Sequence, residues 1–174
     1  MFDANERVTQ SFTLGELASL ADPRWRDAQL AGLATTPASG PQTDRVVARL
    51  RVLARELLQP IRDHVGRPVR INSGYRCAAR NAATHGSSPT SQHVLGEAAD
   101  ISVPGFTDHD LRTLFDWTAY HSGLRYGQVI FEDARPQENG GSWIHISLGA
   151  PYRPVARCHQ RWTWTPSAGY VRLQ

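Results

Sequence analysis

The clearest pattern along the chain is an apolar stripe in which hydrophobic residues recur at steps of three and four. Its members are Val46, Leu50, Leu53, Leu57, Ile61 and Val65. This spacing predicts one apolar face on a long helix, with Thr43 or Asp44 as its N-cap. Pro60 removes a backbone donor and predicts a kink, and Gly66 predicts the end of the helix.

Shorter patterns predict further elements on both sides of this helix. Thr13 and Glu16 have the spacing of a capping box and predict a short helix. Residues 31–42 are rich in Ala, Thr, Pro and Gly, which predicts a surface loop. Two more helices are predicted, one at residues 77–83 and one that begins after Thr107.

Most strand patterns lie in the second half of the chain. They cover residues 68–71, 98–103, 126–131 and 143–148. In the last segment His145 alternates with Ile144 and Ile146, so its side chain is predicted on the face opposite theirs. Because helices come first and strands cluster later, we predict an α+β domain with a small, mostly antiparallel sheet flanked by helices.

Two tryptophans near the C-terminus, Trp162 and Trp164, alternate with threonine at strand spacing. Two interpretations stay open for them. They pack in the core or at an edge of the sheet, or they form a platform on which glycan sugars stack.

The size and composition of the chain indicate one folded domain. Its 174 residues are 40% hydrophobic, which is enough for a single sizeable core. We expect residues 1–42 to form a helical and loop segment packed on the same domain as residues 43–174. No apolar run approaches the length of a membrane span, and the first residues lack the features of a secretory signal. If the protein works outside the cytoplasm, we expect another device, or a leader that precedes this sequence, to deliver it.

The net charge of +3 does not indicate a protein that binds nucleic acid. One group of arginines lies on the predicted long helix: Arg45, Arg49, Arg51 and Arg55. They alternate with acids and are expected to face solvent, so the helix carries no basic stripe. We therefore expect no nucleic acid among the partners of this protein. We also expect no membrane span, and we expect the protein to be a monomer.

The two cysteines, Cys77 and Cys158, are far apart in sequence. They match neither a CxxC redox pair nor a four-ligand zinc cluster. A disulfide between them and two buried free thiols are both open interpretations.

The segment from Ser91 to Asp100 contains two candidate metal ligands. His93 and Asp100 lie seven residues apart around Gly96, and His145 follows on a later apolar strand. Two histidine nitrogens and one carboxylate oxygen can hold Zn²⁺ and leave a position open for water. The pair at 93 and 100 taken alone is a weak signal, because an exposed loop histidine and a turn-forming aspartate would give the same pattern.

The flanking residues sharpen this interpretation. The ordered positions are Ser91, His93, Gly96, Ala98 and Asp100, followed by Trp143 and His145. Together they resemble the zinc D-alanyl-D-alanine carboxypeptidase family, which includes D,D-dipeptidases and phage endolysins and shares its fold with the Hedgehog signalling domain. The upstream run from Ser73 to Arg76 is similar to a motif of the same family, and the resemblance covers residues 43–148. It implies a zinc peptidase domain over residues 43–174.

The resemblance also implies roles for individual residues. His93, Asp100 and His145 would be the zinc ligands. Arg76 would hold the substrate and polarise the scissile carbonyl, because a guanidinium stays charged beside a developing oxyanion; the alternative is a surface arginine after a turn. Ser91 would bind the terminal carboxylate of the substrate, or it caps the loop that holds His93.

The general base is where the sequence departs from much of the family, since Ser142 stands where many members have an acid three residues before the second histidine. Three acids precede it: Glu132, Asp133 and Glu138. A carboxylate is still needed to move the proton from water to the leaving amine. We favour Glu132 because it ends an apolar strand, and we place Glu138 second because its surroundings are a poor place to fix a base.

The sequence therefore predicts a zinc-dependent peptidase that hydrolyses peptidoglycan stem peptides near D-Ala, either as a carboxypeptidase or as an endolysin-type endopeptidase. It is expected to act on the cell wall, and a phage or prophage origin would fit. The alternative is a non-catalytic module, zinc-stabilised, that binds the cell wall or builds a virion. Whether Glu132 lies within one water of the metal would distinguish the two.

Overall fold

The computed structural model describes residues 2–34, 42–133 and 141–174. Its helices are Leu14–Leu17 (α1), Arg26–Ala34 (α2), Gln42–Leu53 (α3), Gln59–Val65 (α4), Ala78–Ala83 (α5) and Asp108–Asp116 (α6). Short π-helical turns at Ala54–Leu58 and Trp117–His121 extend α3 and α6, and a 3₁₀ turn spans Val155–Arg157. Its strands are Arg70–Ser73 (β1), Ala98–Ser102 (β2), Tyr126–Glu132 (β3), Trp143–Leu148 (β4), Gln160–Thr165 (β5) and Gly169–Leu173 (β6).

The strands form one six-stranded sheet in the order β1-β2-β4-β3-β5-β6. The β3–β5 pair is parallel, and the other four pairings are antiparallel. The predicted α+β class with a mostly antiparallel sheet is confirmed. Two elements were not predicted: α2, whose last residues fall at the start of the predicted loop 31–42, and β6, which completes a C-terminal hairpin.

The predicted long helix is present but differs at both its start and its middle. It begins at Gln42, so Thr43 and Asp44 lie inside it. The prediction that one of them is the N-cap is therefore wrong. A π-helical turn precedes Pro60, with the backbone N–H of Gln59 donating to the carbonyl of Ala54. A widened turn next to a proline is a common way to keep a helix continuous where one donor is missing. The helix ends at Gly66, whose φ of 66° gives the left-handed cap that was predicted.

One face of the sheet packs on the helices to form the core. The apolar stripe of the long helix is buried there up to Ile61, with Val65 partly buried, together with Ile101, Val129, Ile144 and Ile146. The N-terminal part adds Phe12 and other apolar side chains to the same core, whereas a boundary at residues 42–43 stays a prediction. In the part of the chain that is described, no helix has the length and apolar character needed to cross a membrane.

Two of the four arginines of the long helix are less exposed than expected, whereas Arg45 and Arg55 are exposed as predicted. Arg49 pairs with Glu97 at 3.2 Å and Arg51 with Glu6 at 2.7 Å, and both arginines are partly buried. Their charges are therefore used within the fold instead of facing solvent. Both cysteines are free thiols.

Candidate metal centre and cleft

His93 lies in a tight turn that packs against the long helix. Gly96 in this turn has a φ of 71°, and a Cβ there would lie 2.9 Å from both the Cγ1 and the carbonyl oxygen of Val46. A side chain at this position would therefore strain the backbone and collide with α3. The turn delivers the chain directly into β2, which carries Asp100 beside His145 of β4.

Three ligand atoms converge at this point. The Nε2 of His93 lies 3.2 Å from the Nδ1 of His145 and 3.2 Å from the Oδ1 of Asp100, and the last two atoms are 2.9 Å apart. Zinc ligands at about 2.0–2.2 Å in a tetrahedral arrangement are roughly 3.3 Å from one another. Among the described residues, these three form a group whose ligand atoms all lie within 4.8 Å. The donor set and the spacing therefore fit Zn²⁺.

The orientation of His93 is set by its other ring nitrogen. Nδ1 lies 2.8 Å from the carbonyl oxygen of Gly74, which can only accept a hydrogen bond, so Nδ1 carries the proton and Nε2 keeps its lone pair. Gly74 cannot be replaced without moving the chain, because a Cβ there would lie 2.0 Å from the carbonyl oxygen of Leu17. The backbone around α1 thus fixes the first histidine.

Electrostatics keep the group ready for a cation. Burial lowers the pKa of His93 more than the nearby Asp100 raises it, so its imidazole is neutral at neutral pH. Burial alone would raise the pKa of Asp100, but its contacts with His93 and His145 hold it well below its usual range. A neutral imidazole and an ionised carboxylate are the forms that bind a metal.

The second histidine is oriented by Gln92. Its side-chain amide lies 3.3 Å from the Nε2 of His145 and also reaches Ser147 and the guanidinium of Arg153. Turned with its carbonyl toward His145, the amide accepts from Nε2–H, which leaves Nδ1 for a metal. Turned with its NH₂ toward His145, it donates to Nε2 while Nδ1–H donates to Asp100. The second orientation also lets the carbonyl accept from the guanidinium of Arg153, so Gln92 meets the ring in either tautomer but satisfies Arg153 only in the second.

The other predicted substrate-binding residues lie next to the metal group. A guanidinium nitrogen of Arg76 is 3.6 Å from the Oδ2 of Asp100, and the Arg76 side chain is largely buried. Its Nε has no hydrogen-bond partner among the described residues. The Oγ of Ser91 lies 3.4 Å from the backbone N–H of His93, a weak capping contact, and Ser91 also lines the cleft. The roles given to both residues stay predictions.

Of the three candidate bases, Glu132 shares a cleft with the metal group. It is buried at the end of β3, on the same face as Ile130, which is paired with His145. The Asp133 carboxylate instead accepts from the hydroxyl of Ser142 at 3.4 Å, and Glu138 lies outside the described residues. The structure thus brings Glu132 to the site, while its role as the base stays a prediction.

The cleft around the group has a volume of about 560 Å³. Several of its lining residues were not singled out from the sequence: Gln92, Gln128, Arg153 and Tyr170. Gln92 could have been suspected because it precedes a ligand, where second partners often lie. Arg153 and Tyr170 carry no such signal, since only the folding of the C-terminal third brings them to the cleft.

An arginine, a carboxylate and a metal-binding group in one cleft are typical of metal-dependent hydrolases. The family described as Peptidase M15 matches residues 28–131, which is more than half of the chain. The chain therefore belongs to this family of zinc-dependent metallopeptidases, as the resemblance implied. The match includes His93 and Asp100 but ends before Glu132 and His145, so the geometry is what joins those two residues to the site. A comparison with curated proteins found no match.

Proposed function

We propose that this protein is a zinc-dependent peptidase that hydrolyses peptidoglycan stem peptides near D-Ala, either trimming a terminal residue or cutting a crosslink. The observation that carries the proposal is the convergence of His93, Asp100 and His145 in a cleft that Glu132 also lines. We further propose that it acts as a monomer on the cell wall, with the Hedgehog-like fold that the resemblance implies.

The residues of the cleft can share the work of peptide hydrolysis. Zn²⁺ held by His93, Asp100 and His145 would supply Lewis acidity and activate a water molecule. The guanidinium of Arg76, fixed beside Asp100, would stabilise negative charge on the scissile carbonyl oxygen. Glu132 would accept the proton of the attacking water and pass it to the leaving amine. Its burial in the cleft would keep it away from bulk water.

A second candidate is a module that binds the cell wall or builds a virion and in which zinc only stabilises the fold. Ser142 favours it, because this position holds an acid in many peptidases of the resembled family. The serine is engaged with Asp133 at 3.4 Å. The two candidates differ in whether Glu132 is needed for turnover.

The test compares the zinc-loaded wild type with His93→Ala, Glu132→Gln and Glu138→Gln on purified peptidoglycan, with the products analysed by mass spectrometry. We expect the wild type and Glu138→Gln to release D-Ala or cut peptides, and Glu132→Gln to bind zinc but to be about 10²- to 10⁴-fold slower. A wild type without products would reject the peptidase. Full activity of Glu132→Gln would move the base to another acid.

A further inference from the structure

The open face of the sheet continues beyond the metal group as a row of aromatic side chains. Glu132 of β3 is paired with Trp143 on one side and with Trp164 on the other, and Trp164 is paired in turn with Tyr170 of β6. Directly paired residues of neighbouring strands point to the same face. The candidate base is thus flanked by two indoles, with a phenol at the outer end.

A second row lies parallel to the first and contains Trp162, with Arg172 at its outer end. His145 is paired with Ile130, Ile130 with Trp162, and Trp162 with Arg172. The alternation of β5 is confirmed on the other side, where Arg161 donates to the carbonyl of Ala119. Trp162 and Trp164 therefore share the face that carries the metal group.

We call Trp162, Trp164 and Tyr170 the aromatic shelf. The rings of Trp164 and Tyr170 meet at an angle of 60° with centroids 6.4 Å apart, and the guanidinium of Arg172 lies 6.0 Å from the Trp162 ring. Tyr170 is 53% exposed, so its ring is accessible to a ligand. The same Tyr170 lines the cleft together with Trp143 and the metal ligands, so shelf and cleft are continuous.

The chemistry of the shelf matches a saccharide. The flat faces of indole and phenol rings pack against the C–H faces of a pyranose, while the phenol hydroxyl and the nearby guanidinium can bond its hydroxyl and acetamido groups. The Nε1 of Trp162 is buried, so this indole contributes packing only. A peptide strand would instead require unpaired backbone groups at a sheet edge. These ring faces point away from the plane of the sheet, whereas the outer backbone groups of the edge strand β6 lie in that plane.

We propose that the aromatic shelf is a subsite for the amino sugar that carries the stem peptide. This inference rests on the proposed function and extends it from the peptide to the glycan. Strands lie about 4.8 Å apart, so β5 and β6, which carry the shelf, lie roughly 10 Å and 14 Å from β4, the strand of His145. Three or four residues of an extended peptide span about 10–13 Å, so a stem peptide cut near its D-Ala end can place its sugar there.

The test compares two substrates that share one stem peptide, free or attached to its N-acetylglucosaminyl-N-acetylmuramyl disaccharide. We expect the wild type to have about a tenfold lower KM for the attached peptide, and Tyr170→Ala and Trp162→Ala to reduce this ratio toward one. Val171→Ala is the matched control, because Val171 is 44% exposed on the opposite face of the same strand. It should keep the ratio of the wild type.

Binding of the peptide-free disaccharide, followed by tryptophan fluorescence and NMR, separates this inference from the proposed function. If the wild type binds the disaccharide and Tyr170→Ala does not, the shelf stands even if no peptide is cleaved. If the wild type cleaves both substrates with equal KM and does not bind the disaccharide, the peptidase stands and the shelf is rejected. Because Tyr170 is largely exposed, its variant should fold even if Trp162→Ala does not.

Discussion

Two carboxylates three residues apart, the buried Glu97 and the largely buried Asp100, have opposite surroundings. The side chain of Glu97 lies between Arg49 at 3.2 Å and Arg153 at 3.6 Å, so the chain itself supplies its cations. The nearest partners of Asp100 are instead the two imidazoles, while Arg76 stays 3.6 Å away on its other oxygen.

The difference separates a structural ion cluster from a binding site. Burial raises the pKa of Glu97, and Arg49 and Arg153 only partly offset it. The pKa of Asp100 is lowered, and this carboxylate shares its pocket with a neutral His93 whose free lone pair points at the same spot. A buried carboxylate that is paired with arginines has its charge balanced within the fold. One that converges with imidazole lone pairs is instead suited to binding a metal cation from solution.

The largest expected difference between the two carboxylates is in metal binding. Asp100→Ala should lose the zinc that the wild type retains after dialysis and should lose hydrolysis by at least about 10³-fold, because one ligand of three is removed. Glu97→Gln should keep one zinc per chain. Metal content by mass spectrometry measures both, and a full complement of zinc in Asp100→Ala would contradict the ligand set.

The next effect concerns the partner of His145. Gln92→Leu should weaken zinc binding by about 10- to 100-fold, because the Nε2–H of the metal-binding tautomer loses its acceptor. Competition with a chelator of known affinity gives the constant. Gln10→Leu, at an exposed glutamine far from the cleft, is the control. An unchanged zinc affinity in Gln92→Leu would mean that another group orients the ring.

The Glu97 cluster should matter for stability and not for the metal. Arg49→Met should lower the free energy of unfolding by about 2 kcal/mol, since Glu97 then keeps only Arg153 as its cation. Arg45→Met, at an exposed arginine of the same helix, should change it little. Urea unfolding of the metal-free proteins measures the effect, and an equal loss in both variants would remove the distinction between the two carboxylates.

The smallest effect is a pH dependence. A carboxyl whose folded pKa is raised contributes stability that is present below its unfolded pKa of about 4.5 and is lost as the pH rises through the folded value. The stability advantage of the wild type over Glu97→Gln should therefore shrink between pH 4.5 and pH 7.5, by at most about 1.4 kcal/mol per pH unit. Urea unfolding across this range, with Glu56→Gln as the baseline, checks the sign. A stability advantage of the wild type over Glu97→Gln that grows with pH would contradict this prediction.

Elements with strong local patterns could be predicted, and those held by distant contacts could not. The stripe of the long helix and the alternation around His145 follow from the period of the backbone, so both were recognised. The helix α2 has no clear stripe. The strand β6 is short and mostly exposed, and it exists because it pairs with β5. The π-helical turn before Pro60 is a tertiary adjustment, since a proline alone predicts only an interruption.

The sequence by itself singled out the three candidate metal ligands, because a glycine turn between His93 and Asp100 and a strand position for His145 are local properties. Only the tertiary structure decided what surrounds them. Gln92 meets His145, Arg153 meets Glu97, and Tyr170 meets the cleft through contacts between residues that are 17 or more positions apart. Such contacts depend on strand order and register, which the pattern of a single strand does not contain. The same register places Glu132 beside Trp164 and Tyr170 of the aromatic shelf. The pairing of strands, and not a sequence motif, therefore sets how far the cleft extends.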